Sequence, residues 1–445
     1  ERDLMVVIQR RTGVCCVAVL LACGCQRGAP DRPEALSDSL GKYAALPLAM
    51  TSHSAPLRDE LARLAAEKAT PADLQAEVTK DITTIGAAAS GAPFVRELKI
   101  LFPAEVREGL NRTLQAAFPD GMLQAEPILR HEVAKLLEQH EDRRRSYQRI
   151  LLRGDRPRVH EHARAMAADL TYLELVATGN RLESAYISQL LGAGRLQAAR
   201  EPLVVMSQAI EWLARERHLA PRLAAADRRK EWLRAVEAVA NHPQVDHATR
   251  DWLLEFLEGV LGRWPSDAEA WIGERGCGLL TYELVRDGYL LSLLAYDEVR
   301  VYREEIGVKE LGKLVGNNLD VDELFYLTTM RHIIDACAQP YYQRHGLSQD
   351  LEAELECVRN SAIYPFVADH LLLVDVAEQL RQQALDRARC EAWRLALLLA
   401  SGRAAPAGQV NPLTGEAFPV RSGRDEIVVG PVDPLDEDSL VRIGY

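Results

Sequence analysis

No two cysteines of the body stand close enough to form a CxxC pair: Cys277, Cys337, Cys357 and Cys390 are separated by 60, 20 and 33 residues. That spacing excludes a dithiol redox motif and the usual zinc ribbon, and leaves core thiols or a Cys337–Cys357 bridge between antiparallel helices. Aromatic residues make up only 6% of the 445-residue chain, and the formal net charge is −12. Basic runs such as Arg143-Arg144-Arg145 therefore lack an aromatic reading surface and a supporting positive field, so no nucleic-acid partner is expected. The same balance argues against strong attraction of the body to anionic lipid. No run of spanning length opens the chain either. The apolar stretch from Thr12 to Ala22, at about 1.5 Å per residue, covers only about half of a ~30 Å bilayer core.

What remains is an ordinary globular composition, 48% apolar and 27% charged, which predicts a folded chain. Arg10 and Arg11 precede the apolar stretch and Ala22 closes it, the pattern of a cleaved signal peptide. The end of that stretch, Leu20-Leu21-Ala22-Cys23, resembles the lipobox of bacterial lipoproteins. The resemblance implies cleavage before Cys23, diacylation of its thiol and acylation of the new amino terminus, an anchor in the bacterial membrane. Gly24 rather than an aspartate follows, which by the common sorting pattern favours the outer membrane, with the body facing the periplasm. Initiation is expected at Met5. An ordinary secretory signal with a chance cysteine, or a buried N-terminal helix of a cytosolic protein, are the alternatives.

The chain divides into a signal peptide (1–22), a lipidated N-terminus and tether (23–56), an N-terminal helical region (57–158), a main helical domain (159–400) and a C-terminal hairpin and tail (401–445). The fold class is mainly α: an irregular multihelical bundle or solenoid-like array with a small C-terminal β-hairpin. Apolar residues recur at helical spacing from 57–69, after Phe102-Pro103, through 122–150 and from 160 to 219. Gly179-Asn180 reads as a turn, and Gly192 and Gly194 as a bend between helices. Trp212, Trp232, Trp252, Trp264 and Trp271 fall at uneven intervals, as anchors between packed helices and not as a repeat. Asp246 and Ser266 are expected N-caps, Asp320 and Glu323 a reciprocal cap after a turn at Gly316-Asn317-Asn318, and Ser348 a further start. A long helix follows Pro365 and runs to about Ala400. Ser422-Gly423 then joins two β-prone pieces, 418–421 and 426–429, into a hairpin that needs the helical body for support.

The tests for chemistry return no catalytic, cofactor-binding or metal-ligating residue. His160-Glu161-His162, with His131 and His140 upstream, lacks the i, i+4 histidine pair of a zinc peptidase. His332 and Asp335 share a helix face, and His370 lies near Asp369 and Asp375, but no nucleophile motif accompanies either. Asp433 through Asp438 lack the alternating ligands and central glycine of the common calcium loop. The run 141–149, EDRRRSYQR, reads as a solvated face.

Asn411-Pro-Leu-Thr-Gly-Glu-Ala-Phe418, with Val429-Gly430-Pro431 beyond it, resembles a C-terminal segment of large, helical, uncharacterised exported proteins of planctomycetes and related bacteria. A similar ending occurs in the pseudopilins of type II secretion. The resemblance implies architecture and export, and no activity. Together these features predict a lipid-tethered envelope scaffold or binding protein, with an envelope protein as its partner and no cofactor. An envelope hydrolase or lyase, built on a cleft of distant histidines and acids, is the alternative.

Overall fold

The computed structural model describes residues 55–66, 93–118, 129–153, 170–294, 299–300, 304, 307–359, 365–406 and 408–444. Helices dominate these residues, as the periodicity predicts. In chain order they are α1 (Ala55–Ala66), α2 (Pro93–Leu101), α3 (Ala104–Ala117), α4 (Arg130–Gln139), α5 (Glu141–Leu152), α6 (Thr171–Gly192), α7 (Arg200–Ala214), α8 (Leu219–Ala240), α9 (His247–Gly262) and α10 (Asp267–Arg286). After them come α11 (Val308–Ala336), α12 (Tyr341–Arg359), a π-helical segment (Ala368–Leu372) and α13 (Val376–Ala400). Three strands close the chain: β1 (Val420–Ser422), β2 (Glu426–Val429) and β3 (Val441–Gly444).

Apolar side chains gather in two cores. The first joins α2 through α9, the second half of α13 and the sheet. The second joins α1, α10, α11, α12, the π-helical segment and the start of α13. One long helix thus enters both: Val376 and Leu380 belong to the second core, and Ala384 through Ala400 line the first. Trp212, Trp232 and Trp271 are buried as inter-helix anchors, with Trp212 against Phe94 at 4.5 Å and Trp232 edge-on to Phe256 at 5.7 Å.

Several local expectations give way to packing. Gly179-Asn180 lies inside α6, where a Cβ on Gly179 would stand 2.3 Å from Cζ of Tyr147. Asn180 Oδ1 accepts from the Tyr147 hydroxyl at 2.9 Å, so the dipeptide permits a close helix crossing instead of a turn. The run 141–149 is likewise only half solvated, because α5 turns Arg144, Tyr147 and Gln148 inward. Gly316, Asn317 and the Asp320/Glu323 pair sit within α11, which the buried Leu311, Val315 and Leu319 carry through without a break. α12 begins at Tyr341 after Pro340, well before Ser348, and α13 begins at Val376 after the π-helical segment and a left-handed Asp375 (φ 52°). Of the two expected caps, Asp246 accepts from Thr249 N–H at 2.8 Å, and Ser266 makes no capping bond. Gly194 (φ +68°) does end the α6 segment. Cys337 is a free thiol, contacted by Arg344 Nη1 at 3.8 Å, so the bridge to Cys357 is not formed.

The sheet has order β1-β2-β3, all antiparallel, with Val420 opposite Val429 and Ile427 opposite Ile443. The hairpin through Ser422-Gly423 is present and packs on α13, and β3, within the expected tail, adds a third strand. Asn411 ties the motif to the sheet. Its Nδ2 donates to Val432 O at 2.8 Å and its Oδ1 accepts from Leu413 N at 2.9 Å, with the side chain buried. At the far edge, Asn241 at the end of α8 accepts from Gly444 N and donates to Arg442 O, both at 2.9 Å.

Candidate functional site

The histidines singled out in the sequence do not converge. His332 and Asp335 are both exposed on α11, and His131 is exposed on α4. His370 Nδ1 stands 3.3 Å from Asp369 Oδ2, with the ring stacked on Phe366 at 4.7 Å. Asp375 is exposed. Among the tail acids, Asp433 pairs with Arg381 and accepts from Leu435 N at 3.0 Å, which makes it part of a self-bonded loop. Cys23, His160 and His162 lie outside the described residues.

The polar groups that do converge stand in no catalytic or metal-ligating motif. His218, at the N-terminus of α8, accepts from Ala220 N–H through Nδ1 at 3.3 Å. Its proton therefore sits on Nε2, which faces Glu274 Oε2 on α10 at 3.3 Å. Burial drives both groups toward their uncharged forms, pushing His218 down to about 4 and Glu274 up to about 7. The side chains keep 13% and 19% of their exposure, so solvent reaches the pair. α8 and α10 approach closely there: a Cβ on Gly273 would lie 1.5 Å from Arg217 O. One turn along α10, Cys277 is 2% exposed, and burial together with Glu274 raises its thiol well above the ordinary value. A thiol so hard to ionise is no nucleophile. The dyad can hold or pass a proton, and no activated nucleophile stands beside it among the described residues.

A second cluster lies where α10 meets α11. Arg286 pairs with Glu283, Asp320 and Glu323 at 2.8, 2.9 and 2.5 Å. Next to Glu323, Asp322 accepts from the Tyr282 hydroxyl (2.5 Å), Val367 N (2.8 Å) and Ala368 N (2.9 Å). A side chain of α11 thus caps the segment that leads into the π-helical turn. Burial pushes Asp322 up to about 6 and Glu323 up to about 7 despite these donors. The third cluster crosses α5 and α6. Glu183 Oε2 accepts from Arg144 Nη1 and Gln148 Nε2, both at 3.2 Å, with the Arg144 guanidinium over the Tyr186 ring at 3.6 Å.

No family model, curated protein or solved structure matches this chain. The described residues hold no group of three or more His, Cys, Asp or Glu side chains arranged for a metal ion. What the clusters do together is join helices that are consecutive in the chain or one removed, and their one shared liability is pH. Burial pushes Glu183 up to about 8, so the folded chain keeps a proton there that the unfolded chain gives up near 4.5. That contribution is complete below the unfolded value and is lost as pH rises through the folded one. His218 works in the opposite sense between about 4 and 6.5, since its neutral form is the buried one. The urea midpoint is therefore expected to fall between pH 6.5 and 8, and Glu183→Gln to flatten that slope. A midpoint that held or rose across the window would mean that Glu183 is ionised beside Arg144.

Proposed function

We propose that the chain is a lipid-tethered scaffold or binding protein of the bacterial envelope, held at the membrane, with the outer membrane favoured, through Cys23. The observation that carries this reading is the order Arg10-Arg11, apolar run, Ala22, Cys23. The C-terminal resemblance to exported helical proteins of planctomycetes supports export. Among the described residues no helix is long and apolar enough to cross a membrane, so an acyl anchor would supply attachment by itself. The buried polar clusters fasten helix to helix, as a scaffold requires. Acyl chains then raise the encounter rate with an envelope partner without any catalytic group.

The test is intact mass and membrane fractionation of the natural chain and of Cys23→Ala, expressed in a bacterium. The expected product is a mature chain that starts at an acylated Cys23 and fractionates with membranes, and the substitution releases the body in folded form. An unmodified soluble product retaining residues 5–22, or a Cys23→Ala chain that stays membrane-bound after export and a high-salt wash, would sink the reading.

A second reading, an envelope hydrolase or lyase, has one observation in its favour: the solvent-reachable His218–Glu274 dyad.

A further inference from the structure

The whole-chain charge of −12 conceals an asymmetry. Residues 93–153 carry eleven arginines and lysines against nine aspartates and glutamates, the reverse of the overall balance. α2 and α5 lie against each other, fixed by Arg153 on Glu97 at 2.8 Å, by Arg143 Nη1 on Leu101 O at 2.5 Å and by Phe102 edge-on to Tyr147 at 5.9 Å. Both turn their apolar sides inward: Phe94, Val95 and Leu98 from α2, Tyr147, Ile150 and Leu151 from α5. Their outer sides present Arg96, Lys99, Arg145, Arg149 and Arg153, opposed by Glu97, Asp142 and Glu141, the last paired with Arg145 at 2.7 Å. Two large aliphatic side chains stand among these cations, Ile100 at 70% exposure and Leu152 at 46%. Cations around protruding aliphatics form the surface that an interface of anionic headgroups and acyl chains accepts.

We propose that the α2–α5 face docks on an anionic phospholipid surface and orients the body against the membrane. The location of the anchor rests on the lipid-tether reading, but the chemistry of the face does not. On the lipid-tether reading, an anchor at Cys23 would keep the body at high local concentration next to the membrane. A body so tethered would meet the membrane repeatedly, and the basic face would decide which side stays. Charge complementarity selects lipid phosphate over a zwitterionic surface, and the aliphatic pair supplies the part of the contact that salt does not screen.

The experiment uses the full chain carrying Cys23→Ala, made by cell-free synthesis so that no acylation occurs, and sedimented with vesicles. The chain also carries Arg10→Gln and Arg11→Gln, because these cations would otherwise bring their own headgroup preference with the Thr12–Ala22 run, so the difference between vesicle types is the readout. At low salt, binding to vesicles with one third phosphatidylglycerol is expected to exceed binding to pure phosphatidylcholine at least tenfold. Lys99→Glu/Arg145→Glu/Arg149→Glu should erase that difference, since each basic group near such a surface contributes about fivefold. Arg421→Glu/Arg424→Glu, exposed on the sheet, should leave it unchanged. If the triple reversal fails to fold by circular dichroism, Lys99→Gln/Arg145→Gln/Arg149→Gln carries the same expectation with a smaller loss. Equal binding to both vesicle types, or full binding by a folded triple variant, would overturn the proposal. So would a salt-sensitive dimer abolished by the triple variant, which would assign the face to a second copy. Failure here leaves the Cys23 mass unchanged, and failure of acylation leaves this vesicle preference unchanged.

Discussion

Gly273→Ala is expected to destabilise the protein by about 3 kcal/mol or more, enough to lower its urea midpoint sharply or to prevent accumulation of folded chain. The new methyl would lie 1.5 Å from the carbonyl oxygen of Arg217 and 2.5 Å from its carbon, and neither atom belongs to a side chain that can swing away. α10 would have to retreat from the segment before α8, taking Glu274 from His218 and Trp271 from Gln383, bonds of 3.3 and 3.2 Å. The contrast is Gly109→Ala on the exposed side of α3, where nothing lies within 4 Å. There the only change is helix propensity, worth roughly 0.8–1 kcal/mol in favour of alanine. If both substitutions gave the same sign, the close approach of α8 and α10 would be refuted.

Asp386→Ala is the second large effect, a loss of about 3–5 kcal/mol. Asp386 on α13 is buried and pairs with Arg229 on α8, whose guanidinium lies over Trp264 at 4.3 Å. Removing the carboxylate strands that cation, and Arg222 nearby, which is held by Ala214 O at 2.8 Å and Asp267 at 3.1 Å, adds further positive charge. Removing both members is a different matter. Arg229→Met/Asp386→Leu keeps much of the volume and leaves no orphan charge, so it should recover most of the loss. A double-mutant cycle on unfolding free energies measures the coupling. A single-substitution cost below about 1 kcal/mol would mean that the pair is effectively solvated.

The sequence made the helical class, the long C-terminal helix and the hairpin legible because each rests on a local pattern: apolar spacing, Pro and Gly punctuation, and β-prone runs around a turn. Local pattern also misled. Gly179-Asn180 has turn chemistry, yet its glycine is needed for the Tyr147 ring and its asparagine for the Tyr147 hydroxyl, both on another helix. Asp320 and Glu323 have the spacing of a capping box, yet Arg286, on a different helix, takes both. The candidate dyad left no trace because His218 and Glu274 meet across a helix crossing, and neither stands in a motif. One signal was available: Glu183 falls within an inward-facing apolar stripe of α6, and an acid in such a stripe demands a partner. Its identity, Arg144, could come only from the fold.

The amide of Asn241 deals with β3 as a neighbouring strand would, accepting one backbone N–H and donating to one backbone carbonyl, while Arg250 takes the carbonyl of Gly444 at 2.6 Å. This border of the sheet is therefore spoken for by side chains of the helical body, and an extended segment from another molecule would have to displace them to pair there. Growth by strand addition, the route by which crowded proteins turn into fibres, is blocked on that side by one amide and one guanidinium.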